Sequence, residues 1–145
     1  MSLHGSYDTG NIFAKIIRGE IPAVKVFEDD QVLAFMDAFP QSRGHVLVIS
    51  KTSQARNLLE AETKTLGRVI GAVQKVTAAV TTALKPDGVV VTQFNGAPAG
   101  QTVFHLHFHI IPRWADRPMK GHGHAPMADA AALRVLADRI AAALE

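Results

Sequence analysis

The chain has 145 residues, with 15 Lys+Arg against 13 Asp+Glu for a net charge of +2, 48% hydrophobic residues and no cysteine. That length implies one domain with a real core, and the missing cysteines exclude a disulfide scaffold, a Cys-ligated zinc site and a cysteine nucleophile. A small charge spread along the chain is no footprint of a nucleic-acid polymer, no apolar run approaches the roughly 20 residues of a membrane span, and residues 1–8 lack the basic and apolar regions of a signal peptide, so a cytoplasmic protein without a membrane partner is expected.

Taken in chain order, residues 1–10 are polar and Gly-containing and read as a loose arm, with a single domain from 11 to 145. Asn11 is a good N-cap for a short helix from Ile12 to Arg18, whose Ile12, Phe13, Ile16 and Ile17 share one face, with Gly19 at the exit. Pro22 stops it. Strands are predicted at Val24–Glu28 and Val32–Met36 around the turn Glu28-Asp29-Asp30-Gln31, and a third at His45–Ser50 after the loop Pro40–Gly44. A long helix runs from Ala61 to Leu84 and stops at Lys85-Pro86-Asp87-Gly88. A fourth strand, Val89–Phe94, leads through the glycine-rich loop Asn95–Gly100 to a fifth, Val103–Ile111, which Pro112 closes. Residues 115–127 look irregular, and Ala128–Leu144 is an Ala-rich terminal helix. An early hairpin and long later connections favour an α+β fold with a mainly antiparallel sheet of about five strands, one long helix and flanking shorter ones.

The stretch His105-Leu106-His107-Phe108-His109 carries the chemistry. Alternation on a strand points all three imidazoles one way and Leu106 and Phe108 the other. Such a row could be polar residues on a wet sheet face. It could bind a metal, since two imidazoles two residues apart can share one zinc, although the first acid after the triplet is Asp116, beyond Pro112. Or one imidazole could be a nucleophile whose neighbours fix its tautomer and meet the charge of a phosphate. The preceding loop favours this last reading, because Asn95, Gly96, Gly100, Gln101 and Thr102 combine small residues with amide and hydroxyl donors suited to an oxyanion.

The run Gly100-Gln101-Thr102-Val103-Phe104-His105-Leu106-His107-Phe108-His109-Ile110-Ile111-Pro112-Arg113 resembles the signature of the histidine triad (HIT) family, His-φ-His-φ-His-φ-φ. Asn11–Ala23, Phe27–Asp30, Leu33–Asp37, Pro40-Gln41 and Gly44–Lys51 are similar to its Hint-like branch, so the blocks span most of residues 11–113. The resemblance implies a HIT-like fold, commonly a homodimer, and a hydrolase or transferase acting at the α-phosphate of purine nucleotides. The expected substrates are nucleoside phosphoramidates or related conjugates, with dinucleoside polyphosphates or a purely regulatory nucleotide-binding role as alternatives. Residue by residue, it implies His107 as the nucleophile, His105 as its orienting partner and His109 at the phosphate or leaving group, with His45 facing the same site. Asn95, Gln101 and Thr102 would hold the phosphate and leaving group, Asp37 the ribose hydroxyls, and Ile12, Phe13, Ile16 and Phe35 the base. Many bacterial relatives carry a structural zinc where this chain has Asn11, Ala14 and Ser53, so no metal and no cofactor is expected. The tail from about 114 matches poorly, and its Gly121-His122-Gly123-His124 reads as a loop.

Overall fold

A computed structural model describes residues 2–118 and 125–144, so Gly121–His124 lies outside the described residues. Helix α1 (Ile12–Ile17) is followed by strands β1 (Lys25–Glu28), β2 (Val32–Met36) and β3 (Val46–Ser50), helix α2 (Thr63–Leu84), strands β4 (Gly88–Thr92) and β5 (His107–Arg113), and helix α3 (Ala130–Ala142). The expected α+β architecture is what forms. One antiparallel sheet has the order β1-β2-β3-β5-β4.

Local chemistry explains the boundaries. The Asn11 side chain accepts from the Ala14 N–H at 2.9 Å and caps α1. Asp29 Oδ1 accepts from both Gln31 N and Val32 N at 2.8 Å, which closes the β1–β2 hairpin. Helix α2, with 22 residues, spans about 33 Å at 1.5 Å per residue. It ends where Lys85 takes the left-handed conformation, φ 52°, one residue before Pro86.

The sheet separates two apolar clusters. Val32, Ala34, Met36, Val46, Val48, Phe108 and Ile110 face α2 and α3, meeting Val73, Val76 and Val80 from the one helix and Leu133, Ala137 and Ile140 from the other. Leu33, Phe35, Leu47 and Ile49 point to the opposite side, where Phe13 and Ile16 of α1 cover them. His107 and His109 pair with Ile49 and Leu47 and lie on this second face. Both faces are covered, so the triplet is not on a wet surface. Among the described residues no helix is long and apolar enough to cross a membrane.

Most element ends shift by one or two residues from expectation, and the largest difference is in β5. Strand β5 starts at His107, because residues 103–105 bend and the Leu106 N–H reaches Ala55 O at 3.0 Å, away from the ladder. It also runs through Pro112 to Arg113. Arg113 O accepts from Asp87 N on the β4 side, so alternation turns the missing Pro112 N–H toward β3. There the last β3 pair is Val46 with Ile110, and no ladder partner is lost. The arm has no regular structure, yet it is tied down: Asn57 Nδ2 donates to Leu3 O and Ala97 N donates to Ser2 Oγ, each at 2.8 Å.

Candidate active site

Four imidazoles converge on the α1 face of the sheet, His107 and His109 from β5, His105 from the bend before it, and His45 from the residue preceding β3. His45, His105 and His109 are at most 2% exposed and His107 is 6% exposed, the most accessible of the four. Hydrogen-bond partners set the tautomer of each ring when neutral. Ser50 O can only accept, so His105 donates from Nε2 at 2.9 Å and its Nδ1 accepts from the Tyr7 hydroxyl at 2.6 Å. The His105 carbonyl in turn receives the His107 Nδ1–H at 2.7 Å, which leaves Nε2 as the unprotonated nitrogen of His107.

A second chain runs through His45. The Gln41 N–H donates to His45 Nδ1 at 3.0 Å, which places the His45 proton on Nε2. That proton is directed at His109 Nδ1, 2.9 Å away, so His109 carries its own proton on Nε2. Asp37 stands beside this chain, one carboxylate oxygen 3.4 Å from His45 Nε2 and the other accepting from Phe39 N at 2.8 Å.

Aromatic rings pack the row in place. Phe13 meets the His107 ring edge-on at 4.9 Å and Phe35 at 5.4 Å, and Phe94 lies 5.4 Å from His109. Ile16 joins Phe13 and Phe35 in the buried cluster, whereas Ile12, one residue from the cap, is 46% exposed at its rim. The loop before the triplet is built from inside. Gly96 and Gly100 take φ of 90° and 111°, which L side chains avoid. Gln101 is buried and holds the loop shut, its Oε1 accepting from Gly96 N at 2.8 Å and its Nε2 donating to Arg56 O at 2.7 Å and Val103 O at 3.0 Å. Asn95 Oδ1 accepts from Leu58 N and from Gln93 Nε2 at 2.9 Å each. The side-chain amides of both residues thus shape the loop, and Thr102 stands exposed beside it.

Sequence reasoning missed Tyr7, Phe94 and Gln41. Tyr7 falls in an aperiodic arm and Gln41 acts through its backbone, so neither leaves a pattern. No acid lies near the triplet in sequence before Asp116, but the fold brings Asp37 to within ligand distance of two histidines. Among the described residues Asp37, His45 and His109 offer ligand atoms within 4.8 Å of one another. Two imidazoles on one tetrahedral zinc stand about 3.3 Å apart for Zn–N bonds near 2.0–2.1 Å. His45 Nε2 and His109 Nδ1 are 2.9 Å apart, a hydrogen-bond separation. At the positions of the bacterial structural zinc the side chains serve local hydrogen bonds: Asn11 caps Ala14, and Ser53 Oγ accepts from Ala55 N at 3.0 Å.

The family model for the HIT domain matches residues 18–116. The chain belongs to the HIT family. This HIT protein is 51% identical to a Hit-like protein from Bartonella henselae whose crystal structure superposes with a TM-score of 0.91, covering 97% of this chain and 100% of that one. It is 44% identical to the protein hit of Bacillus subtilis, over 77% of this chain and 74% of that one. It is 43% identical to an adenosine 5'-monophosphoramidase of Schizosaccharomyces pombe, over 70% and 73% of the two chains.

Burial holds the His105 imidazole below its ordinary value of 6.5, partly opposed by its hydrogen bond to Ser50 O. The folded state therefore binds this proton less readily than the unfolded chain. The corresponding stability is complete above about pH 6.5 and is lost as pH falls below it toward the lowered value. The melting temperature of His105→Gln is expected to fall less than that of wild type as pH drops from about 7 to about 5. Equal falls in both proteins would rule out this linkage.

Proposed function

We propose that this HIT protein hydrolyses purine nucleoside phosphoramidates or related nucleotide conjugates at the α-phosphate through a covalent nucleotidyl-His107. The observation that carries this reading is the His107 Nδ1–H bond to the His105 carbonyl, which presents an unprotonated Nε2 as nucleophile. In the first step the Nε2–P bond forms as the bond to the leaving nitrogen breaks, and the amine departs with a proton from solvent. Water then attacks phosphorus, restores neutral His107 and releases the nucleoside monophosphate.

The other residues take roles consistent with their positions. His109 directs its Nε2–H at the phosphoryl oxygens, held by His45 and Gln41 N–H. Thr102 and the backbone of the loop that Gln101 and Asn95 shape meet the phosphate and leaving group. Phe13, Ile16, Phe35 and the exposed Ile12 form the base pocket, and Asp37 takes the ribose hydroxyls with the carboxylate that also steadies His45. The name of the S. pombe relative, a monophosphoramidase, agrees with this substrate class. Pairing into a homodimer is part of the same reading, supported by apolar Ile70 on α2 and Val91 on the edge strand β4, each 46% exposed.

The test is a substrate panel with the reaction quenched in its first turnovers. The expected result is a nucleotidyl adduct on His107 by peptide mass spectrometry with a phosphoramidate, and no loss of rate with chelator. Turnover without an adduct, or activity removed by chelation and restored by zinc, would sink the covalent reading.

A further inference from the structure

Strand β5 carries two of the site histidines and then runs on to Arg113, four residues past His109, or about 13 Å at ~3.3 Å per residue. There the segment Pro112–Pro118 faces the loop Pro40–Arg43 across a cavity of about 200 Å³. Among the described residues its lining includes three guanidinium groups, Arg43, Arg113 and Arg117, together with Trp114 and Ser42, and no carboxylate. Among the described residues none of the three arginines forms an ion pair.

Several features of this cluster are costly without a counter-charge. Arg113 Nε and Ser42 Oγ are buried and lack a hydrogen-bond partner among the described residues, an unfavourable state, the more so for a charged group. Arg43 is held below its ordinary value by burial and by the positive charges of Arg139 and Arg117. The Arg117 guanidinium lies 5.3 Å over the Trp114 ring, which keeps it at the cavity. Asp87, a neighbouring acid, accepts from the Ala115 N–H at 2.8 Å.

We propose that this cavity is a second ligand site, separate from the four histidines, which binds a compact di- or polyphosphate anion. Planar guanidinium forks match phosphate oxygens two at a time, and buried donors such as Ser42 Oγ and Arg113 Nε would find acceptors there. The volume is that of about seven water molecules at about 30 Å³ each. It admits two linked phosphate groups and is too small for a whole nucleotide. The site stands independently of the hydrolase reading, although Gln41 lines the cavity while its N–H holds His45.

Trp114 is the sole tryptophan of the chain, so its fluorescence reports on this cavity alone. Titrating the full chain with inorganic pyrophosphate at fixed ionic strength is expected to give a saturable emission change. The change should persist when adenosine 5'-monophosphate saturates the histidine site. Arg43→Gln and Arg117→Gln, both exposed positions whose fold is checked by melting temperature, should each raise the apparent Kd about tenfold or more. A response that is absent, that the monophosphate abolishes, that sulfate reproduces at equal concentration (an adventitious ion only), or that both variants retain at wild-type affinity would overturn the proposal.

Discussion

His107→Ala is expected to lower the turnover of a purine nucleoside phosphoramidate by at least about a thousandfold, the scale on which loss of a nucleophile acts. Nucleotide affinity should stay within a few-fold of wild type, because in the proposed reading the phosphate meets His109 and the Gly96–Gly100 loop, which are held by His45, the Gln41 N–H and Gln101. His107→Gly makes a second test in which added imidazole should restore part of the rate by filling the vacated space. Release of monophosphate at the native rate by a purified His107→Ala variant would transfer the nucleophile's role elsewhere. The contrast between kcat and Kd matters here, since the ring also packs against Phe13 at 4.9 Å. A purely structural contribution would reduce affinity and melting temperature along with turnover.

Leu33→Ala is expected to remove about 2–5 kcal/mol of stability, the range for emptying a fully buried leucine position. Leu33 is 0% exposed, sits on the α1 face of β2 and pairs with Glu28 on one side and Ile49 on the other. Its cluster contains five other buried side chains among the described residues, Phe13, Ile16, Phe35, Leu47 and Ile49, with the half-buried Ile17, Ile21, Ala23 and Val103 packed against them. Little nearby can collapse into the gap, and a domain with a total of about 5–15 kcal/mol loses a large fraction of it. Urea denaturation measures this, with Val135→Ala on the exposed side of α3 as the comparison, expected within about 0.5 kcal/mol of wild type. Similar midpoints for the two variants would mean that the α1 side of the sheet contributes little to folding.

Much of the fold was legible because its elements obey short periods. Val32–Met36 emerges with the bounds that β-branched and apolar content suggested, and Leu84 ends α2 where Lys85-Pro86 made continuation impossible. The errors lie where a distant partner decides. The alternation of β5 extends back to Val103 in the sequence, but the Leu106 N–H bonds to Ala55, and no local pattern encodes that contact. Pro112 looked like an end because it cannot donate, a rule that applies only when a neighbour needs the donor. At the site, the alternation of His107 and His109 did place both rings together with His45. Along the chain the first acid after the triplet is Asp116, whereas in the fold Asp37 reaches His45. Tyr7 was illegible because a hydroxyl in an aperiodic arm gives no sign of the ring it will meet.

The sheet acts as a partition wall between unequal compartments. One side is roofed by the two longer helices, α2 and α3, with twenty buried apolar residues among those described, the other by the six-residue α1 and a strap of irregular chain. A short helix over a small cluster opens at lower free energy than two long helices over a large one. By this measure the histidine side is the one expected to open first, while the helix-roofed side keeps the strands in register.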